Sequence, residues 1–339
     1  MKTVLVTGGV GYIGSHTSVA LIESGYDIVI VDDLSNTRLD LLEGIKKITG
    51  KDPKFYEGDL KDEKLVAKIF NENQIDAIIH FAASKAVGES VTEPLKYYKN
   101  NFLSLVNLLE QAVSASIPLV FSSSCTVYGT PDLLPVTEQT PVKPAQSPYG
   151  NTKQVGEEII VDTIAANPNF KAISLRYFNP IGAHESSHIG ELPLGVPNNL
   201  VPYLLQVAAG ERECLSVFGD DYNTPDGTCI RDYIHVVDLA EAHVVAVKRM
   251  LDGLSKEPYE VFNLGTGQGN SVLELIKVFE EVNGLKLNYK IVDRRAGDVE
   301  QIYADTTFAN EELGWKSRFE LPDMLRSAWN WQKNLSKLG

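Results

Sequence analysis

Glycines at positions 8, 11 and 14 stand three residues apart, directly after Val4-Leu5-Val6 and at the start of a stretch of helical composition over residues 12–24. A strand that turns into a helix through G-x-x-G-x-x-G needs a tight turn, close approach of the backbone to a ligand, and close packing of helix on sheet. The N–H groups at the start of such a helix, with its positive dipole end, suit a pyrophosphate. The surroundings strengthen the reading. Ile28-Val29-Ile30-Val31 reads as the next strand and ends on Asp32, about 20 residues past the glycines, where a ribose-binding carboxylate is expected. A carboxylate there accepts hydrogen bonds from ribose hydroxyls and repels a 2′-phosphate, which favours NAD over NADP. Asp59, after Phe55-Tyr56-Glu57-Gly58, ends another strand on the same ligand side, within reach of an adenine edge.

The same rhythm continues through the first half. Ala77-Ile78-Ile79-His80-Phe81 and Leu119-Val120-Phe121 read as buried strands, and residues 63–71 and 95–114 have helical length and composition. Strand and helix in alternation predict an α/β fold, a Rossmann-type doubly wound parallel sheet with helices on both faces. Pro131, Pro135, Pro141, Pro144 and Pro148 then enforce a loop, after which a helix from about Ser147 and a strand at Ile173-Ser174-Leu175 resume the pattern. A second irregular stretch covers residues 179–198, long enough to act as a functional cover. Beyond Asn199 the elements mix without a clean βαβ rhythm, which predicts a smaller mixed α/β substrate lobe. The expected division is residues 1–178 for the dinucleotide-binding domain, with chain crossovers near 230–265, and 179–339 mainly for the substrate lobe.

Composition removes several function classes. Hydrophobic residues at 43% and charged residues at 22% are ordinary for a globular chain. A net charge of −14 lacks the basic excess expected of a nucleic-acid or anionic-membrane binder. No run approaches the roughly 18 apolar residues of a membrane span, and the opening Met1-Lys2-Thr3-Val4-Leu5-Val6-Thr7-Gly8 breaks too early for a signal-peptide core. Cys125, Cys214 and Cys229 form no C-x-x-C pair, and a sparse odd set suits a reduced, cytoplasmic enzyme. The histidines, including His80 on an apolar strand, show no metal-ligand spacing, so no metal is expected.

The chemistry rests on Tyr149-Gly150-Asn151-Thr152-Lys153. At i and i+4 on a helix, Tyr149 and Lys153 share one face. A phenol with an ordinary pKa near about 10 is a poor base at neutral pH. A nearby lysine cation and a positive nicotinamide both favour the phenolate. Ser124 ends the strand Phe121-Ser122-Ser123-Ser124 at the carboxyl edge, where such sheets bind ligands. Its hydroxyl can hold a substrate oxygen while the proton moves. Ser124, Tyr149 and Lys153 together read as a site for hydride transfer between alcohol and ketone.

Longer strings extend across both halves: Thr7-Gly8-Gly9 through Gly14-Ser15-His16, Phe81-Ala82-Ala83-Ser84-Lys85-Ala86-Val87-Gly88-Glu89-Ser90, Ser122 through Gly129, Arg176-Tyr177-Phe178-Asn179-Pro180, Pro197-Asn198-Asn199-Leu200, and Gly227-Thr228-Cys229-Ile230-Arg231-Asp232-Tyr233-Ile234-His235. On these the chain resembles the sugar-nucleotide 4-epimerases of the extended short-chain dehydrogenase/reductase family over essentially its full length. The resemblance implies a tightly held NAD, reversible interconversion of UDP-galactose and UDP-glucose through a 4-keto sugar, a place in galactose metabolism, and a homodimer, through helices around residues 95–114 and 154–166. It implies cofactor contacts at Gly8, Gly11, Tyr12, Ile13, Gly14, Asp32, Ser35, Asn36, Thr37, Asp59, Leu60, Phe81, Lys85, Asn100, Ser124, Tyr149, Lys153 and Phe178. On the substrate side it implies Lys85, Ser124, Tyr149, Asn179, Asn199, Leu200, Phe218, Arg231, Arg295 and Asp298. The two arginines would neutralise pyrophosphate charge. Ala83 stands where the family often has glycine. Ile302 stands where bulk limits the sugar C2 substituent, and its intermediate size leaves UDP-N-acetylhexosamine and UDP-pentose 4-epimerases open as alternatives.

Two other classes differ from this chain at particular positions. A sugar-nucleotide 4,6-dehydratase commonly carries an Asp-Glu pair where Cys125-Thr126 stands here, and neither residue is a carboxylate. A non-catalytic NAD-sensing protein of the same fold would be expected to have lost the tyrosine or lysine, and both are present.

Overall fold

In the computed structural model, which describes residues 1–295 and 298–338, the apolar runs of the first half become one parallel sheet. β1 (Thr3–Thr7), β2 (Asp27–Asp32), β3 (Lys54–Glu57), β4 (Ala77–His80), β5 (Leu119–Ser124) and β6 (Ala172–Tyr177) lie in the order 6-5-4-1-2-3. A seventh strand, Tyr259–Leu264, adds in parallel beyond β6. Strand order reverses between β1 and β4, and that switch point opens a crevice at the carboxyl edge.

Burial on both faces explains why the strands read as continuous apolar runs. Val4 and Val6 of β1 enter one core, and Leu5 between them enters the other. The first core holds side chains of α1 (Tyr12–Glu23) and α2 (Asp40–Thr49), the second those of α3 (Glu63–Glu72). After the short α4 (Val87–Thr92), α5 (Pro94–Ser114) and α6 (Pro148–Ala166) cover the second face. α6 starts sharply because Ser147 caps it, its hydroxyl accepting from the Gly150 N–H at 3.1 Å, with Pro148 in the first turn. The proline-rich segment before it contains no helix or strand.

The later chain builds the mixed lobe. β7 (Asn179–Ile181), α7 (Leu200–Ala208), β8 (Leu215–Phe218) and β9 (Ile230–His235) lead into α8 (Val236–Leu251) and β10 (Tyr259–Leu264), the seventh strand of the large sheet. α8 packs against α1, so the chain returns to the first core between residues 236 and 264. β11 (Gly269–Ser271), α9 (Val272–Asn283), β12 (Tyr289–Val292), β13 (Gln301–Ile302) and α10 (Leu321–Leu338) complete it. β9 pairs in parallel with β7 and β13 and antiparallel with β11, while β8 and β12 form a separate parallel pair. The Rossmann-type sheet and the smaller mixed lobe thus match the expected fold class. Residues 179–198 hold only β7 and an isolated bridge between Ala183 and Gly190, close to the irregular cover read from sequence.

Candidate active site

β1 delivers the glycine turn to the switch point. Gly8 adopts φ 68°, and a Cβ there would lie 2.8 Å from the Ala82 nitrogen, so the turn rests on the loop after β4. A Cβ on Gly14 would lie 2.1 Å from the Gly8 carbonyl oxygen, which fixes how closely α1 approaches its own entry turn. α1 begins without a side-chain cap and with no acidic residue in its first turn, leaving its positive end to an anion. The Asp32 carboxylate accepts the Val10 N–H at 3.1 Å on one oxygen and the Leu34 N–H at 3.0 Å on the other. A carboxylate offers about four lone-pair sites, so it can hold the loop and still accept ribose hydroxyls. Burial raises its pKa, against the pull of those N–H groups. The cradle, the open helix end and the carboxylate fit the pyrophosphate and ribose of NAD.

Most of the other predicted cofactor residues make local contacts of their own. Thr37 is buried and donates to the Val10 carbonyl at 2.9 Å, while Ser35 donates to Asp33 at 2.6 Å and Asn36 is exposed. Asp59 pairs with Lys61 at 2.8 Å, and Lys61 also donates to Asn100 at 2.9 Å. Leu60 itself is core; its carbonyl accepts from Asn107 at 2.9 Å. The Tyr12 hydroxyl donates to the Gly182 carbonyl at 2.7 Å, tying α1 to the segment after β7, and Ile13 packs against the first core. Phe81 lies 4.7 Å, centroid to centroid, from His243. Phe178 is buried, its N–H donating to the Leu264 carbonyl at 3.2 Å.

Ser124, Tyr149 and Lys153 converge as their spacing predicts. Lys153 is buried, and its ammonium donates to the Ser122 carbonyl at 2.6 Å, lying 4.9 Å from the Phe121 ring centre and 5.8 Å from that of Tyr149. Burial pushes its pKa down to about 8, opposed by the charge of Glu157. Burial pushes the Tyr149 phenol well up, and the nearby Ser124 hydroxyl works the other way. The expected phenolate-stabilising environment is therefore incomplete in the protein by itself, because removing both side chains from water disfavours their charged forms. His80 is a satisfied interior residue, its Nδ1 2.8 Å from the Thr7 hydroxyl and its pKa pushed down to about 3 by burial. Among the described residues, no group of three or more His, Cys, Asp or Glu could hold a metal ion, and no helix is long and apolar enough to cross a membrane.

The predicted substrate residues gather differently. Arg295 lies 5.4 Å over the Phe218 ring and donates to Asp298 at 2.7 Å. Arg231 donates to the Ile230 carbonyl at 2.8 Å and, at 3.4 Å, to that of Glu300 in the same segment. Lys85 and Asn199 meet across Glu191, at 3.8 Å and 3.2 Å from its Oε1. Leu200 opens α7, half-buried. Asn179 is exposed opposite Tyr233, and among the described residues no hydrogen bond ties it or Asn36 to another predicted site residue. Ile302 sits opposite Arg231 in the β9–β13 pair and packs in one apolar cluster with Phe178 and Cys125, beside Ser124.

The family described as GDP-mannose 4,6 dehydratase matches residues 5–328. The UDP-glucose 4-epimerase of Bacillus subtilis is 52% identical over 332 residues, 98% of this chain and 97% of that protein. The crystal structure of UDP-glucose 4-epimerase from Bifidobacterium longum in complex with NAD+ and UDP superposes with a TM-score of 0.94 at 49% identity, over 98% of each chain. That from Stenotrophomonas maltophilia, with bound NAD and formylated UDP-arabinopyranose, gives 0.96 at 48% identity over 100% of each. The chain belongs to the UDP-glucose 4-epimerase family.

As a member of that family it is an isomerase on the extended short-chain dehydrogenase/reductase fold. The match to a family described by a dehydratase does not bring that chemistry with it. Cys125 is buried with its thiol pushed up to about 12, chiefly by burial, and Thr126 has no ionisable group, so no carboxylate pair stands beside Ser124. Several buried or bridging polar residues linked to the predicted site of this epimerase-family chain have no counterpart among the sequence-derived candidates. Glu157 and Arg176 form a buried ion pair at 2.5 Å. Tyr177 shares a short hydrogen bond with Ser122. Glu191 joins Lys85 to Asn199. Asp232 accepts from the N–H groups of Thr266, Gly267 and Ala304 at 2.8, 3.0 and 3.2 Å, bracing the strand that carries Arg231. Only Glu157 left a local signal, since it continues the Tyr149, Lys153 spacing by four more residues.

Proposed function

We propose that this chain interconverts UDP-galactose and UDP-glucose at C4 with NAD retained through turnover. The observation that carries the reading is the buried Ser124–Tyr149–Lys153 group standing at the carboxyl edge of a sheet whose switch point carries the dinucleotide cradle. Tyr149 takes the proton of the C4 hydroxyl while Ser124 holds that oxygen. Lys153, fixed on the Ser122 carbonyl, adds the positive charge that favours the phenolate. When bound, NAD supplies the hydride acceptor and then the hydride donor at C4. Arg231 and Arg295 hold the pyrophosphate through charge-assisted hydrogen bonds, and Phe218 flanks the base. The hexose is held loosely, so the 4-keto sugar can turn and present its other face. Tyr149 then returns the proton to the inverted alcohol.

Residues 1–178, joined by 230–265, carry the cofactor in this reading, and 179–339 mainly carry the UDP-sugar. A second copy of the chain belongs on the outer face of α5 and α6, where Leu95, Leu103, Val106 and Val161 are exposed. Sedimentation velocity at micromolar concentration should give a dimer, and replacing these four by Ser and Glu should give a monomer. The cytoplasm is the fitting compartment for three free cysteines.

The test of the activity is incubation of the purified protein with UDP-galactose and no added cofactor, followed by chromatography for UDP-glucose. Conversion that falls about 100- to 10,000-fold in Tyr149→Phe is expected. A chain inactive on this pair even with added NAD, but converting UDP-N-acetylgalactosamine or UDP-arabinose, would move the substrate assignment and leave the mechanism standing. Ile302, in one apolar cluster with Phe178 and Cys125, is where that difference would be decided.

A further inference from the structure

We propose that Glu157 is a positioning residue of the reaction centre, extending Tyr149 and Lys153 into a three-residue row on α6 and locking that row to the end of β5. Positions 149, 153 and 157 follow one another at i+4 and share a helix face, and all three are buried. The carboxylate is tied on both oxygens. One accepts the Ser123 hydroxyl at 2.5 Å and the Arg176 Nε at 3.0 Å, and the other accepts an Arg176 Nη at 2.5 Å. Ser123 lies between Ser122, whose carbonyl takes the Lys153 ammonium, and Ser124, the proposed partner of Tyr149. One carboxylate thus fixes the helix carrying the base to the strand carrying its partner. Arg176 holds the arrangement from the far side, its other Nη donating to the Tyr128 hydroxyl at 3.1 Å, which donates in turn to Asn263 at 2.7 Å.

The row is also electrostatic. Lys153 and Arg176 are buried cations that share this anion, and the Glu157 charge is what supports the lysine proton against burial. Around Lys153 stand Tyr149 on its own helix, the Phe121 ring of β5, neutral His80 of β4, and Tyr177 of β6, whose hydroxyl bonds Ser122; Cys125 and Tyr97 of α5 also face Tyr149, and Tyr259 of β10 faces Glu157. Removing the anion lowers the proton affinity of Tyr149 and Lys153 together, because both then face unopposed positive charge.

The inference rests on the assignment of Tyr149 and Lys153 above. Its test compares the NAD-loaded wild type, Glu157→Gln, and the double variant Glu157→Gln with Arg176→Met, measuring kcat and KM for UDP-galactose across pH. In Glu157→Gln, kcat should fall roughly 10- to 100-fold with KM unchanged, as for a slightly misplaced reacting group. Both limbs of the kcat/KM profile should move acidwards by about one pH unit, the scale of a lost neighbouring charge. The double variant, which removes Arg176's charge together with that of its partner and leaves only Lys153 without the anion, should regain part of the thermal stability yet keep a smaller shift in the same direction. It also carries the test if the single variant does not fold. Limbs that stay in place, or a double variant equal to wild type in kcat and profile, would overturn the proposal. Tyr149→Phe separates the two layers: retained activity there breaks the assignment of the base itself, whereas collapsed activity with unmoved Glu157→Gln limbs breaks only the role of Glu157.

Discussion

At the carboxyl edge of the large sheet, Ser124, Tyr149 and Lys153 are buried, and Lys153 is tied to the backbone of β5. In the lobe, Phe218 and Arg295 stand roughly half in solvent, and Arg295 is paired with its near neighbour Asp298. The first arrangement pre-sets geometry before any ligand arrives, as proton transfer at fixed distance requires. In the proposed reading, the second keeps charged groups hydrated until a pyrophosphate replaces Asp298 as the partner of Arg295, at the cost of breaking an exposed ion pair worth about 0–1 kcal/mol. On that proposal, chemistry is placed where water is absent, and nucleotide capture where it is present.

Substitutions that act on one region and spare the other would sharpen this contrast. The largest effect is expected from Gly14→Ala. Its Cβ would lie 2.1 Å from the Gly8 carbonyl oxygen and 2.8 Å from the Gly9 Cα, an overpacking that costs about 1–3 kcal/mol and spoils the cradle. The purified variant should carry little or no NAD, read by absorbance after denaturation, and NAD retained at wild-type stoichiometry would break the assignment of the turn.

Acid should strike the buried region next. Burial holds His16 and His80 at about 3 and His243 and His235 at about 4, all below the ordinary histidine value of 6.5. They are neutral when folded and take up protons when unfolded. The unfolded chain therefore binds more protons below pH 6.5, and stability present above that value is lost as pH falls towards 4 and 3. The urea midpoint should drop steeply between pH 6.5 and 4 at unchanged slope. A flat midpoint would show that these side chains are not held neutral.

A smaller effect is expected from Arg295→Met. It removes a charge-assisted contact worth about 1.5–3 kcal/mol, so KM for UDP-galactose should rise roughly 10- to 100-fold with kcat little changed. A collapse of kcat instead would mean that the lobe also sets the geometry of the reacting carbon. The smallest is Phe218→Leu, expected to raise KM only a few-fold, since roughly 1 kcal/mol of aromatic stacking is lost; isothermal titration with UDP alone would read it.

Some of the site was legible because it is local. The glycine turn, Asp32 at a strand end, and Tyr149 with Lys153 are relations within one strand, one turn or one helix, and those spacings are set by backbone geometry. Phe218 was harder: apolar composition assigns it to a core, whereas the fold leaves it 40% exposed beneath Arg295. Nothing along the chain predicts that, because exposure depends on what other segments cover.

By itself, then, the sequence determined the parallel sheet, the dinucleotide cradle and the tyrosine–lysine pair, since each follows from periodicity of two or about 3.6 residues and from the conformational needs of glycine. Tertiary structure alone decided the pairing of Glu157 with Arg176 across 19 positions, of Tyr128 with Asn263 across 135, and of Asp232 with the turn 34 residues on. Those residues are ordinary polar side chains in sequence. They acquire roles only when folding takes them out of water, where a charge or hydrogen-bonding group must find a partner wherever the chain has brought one.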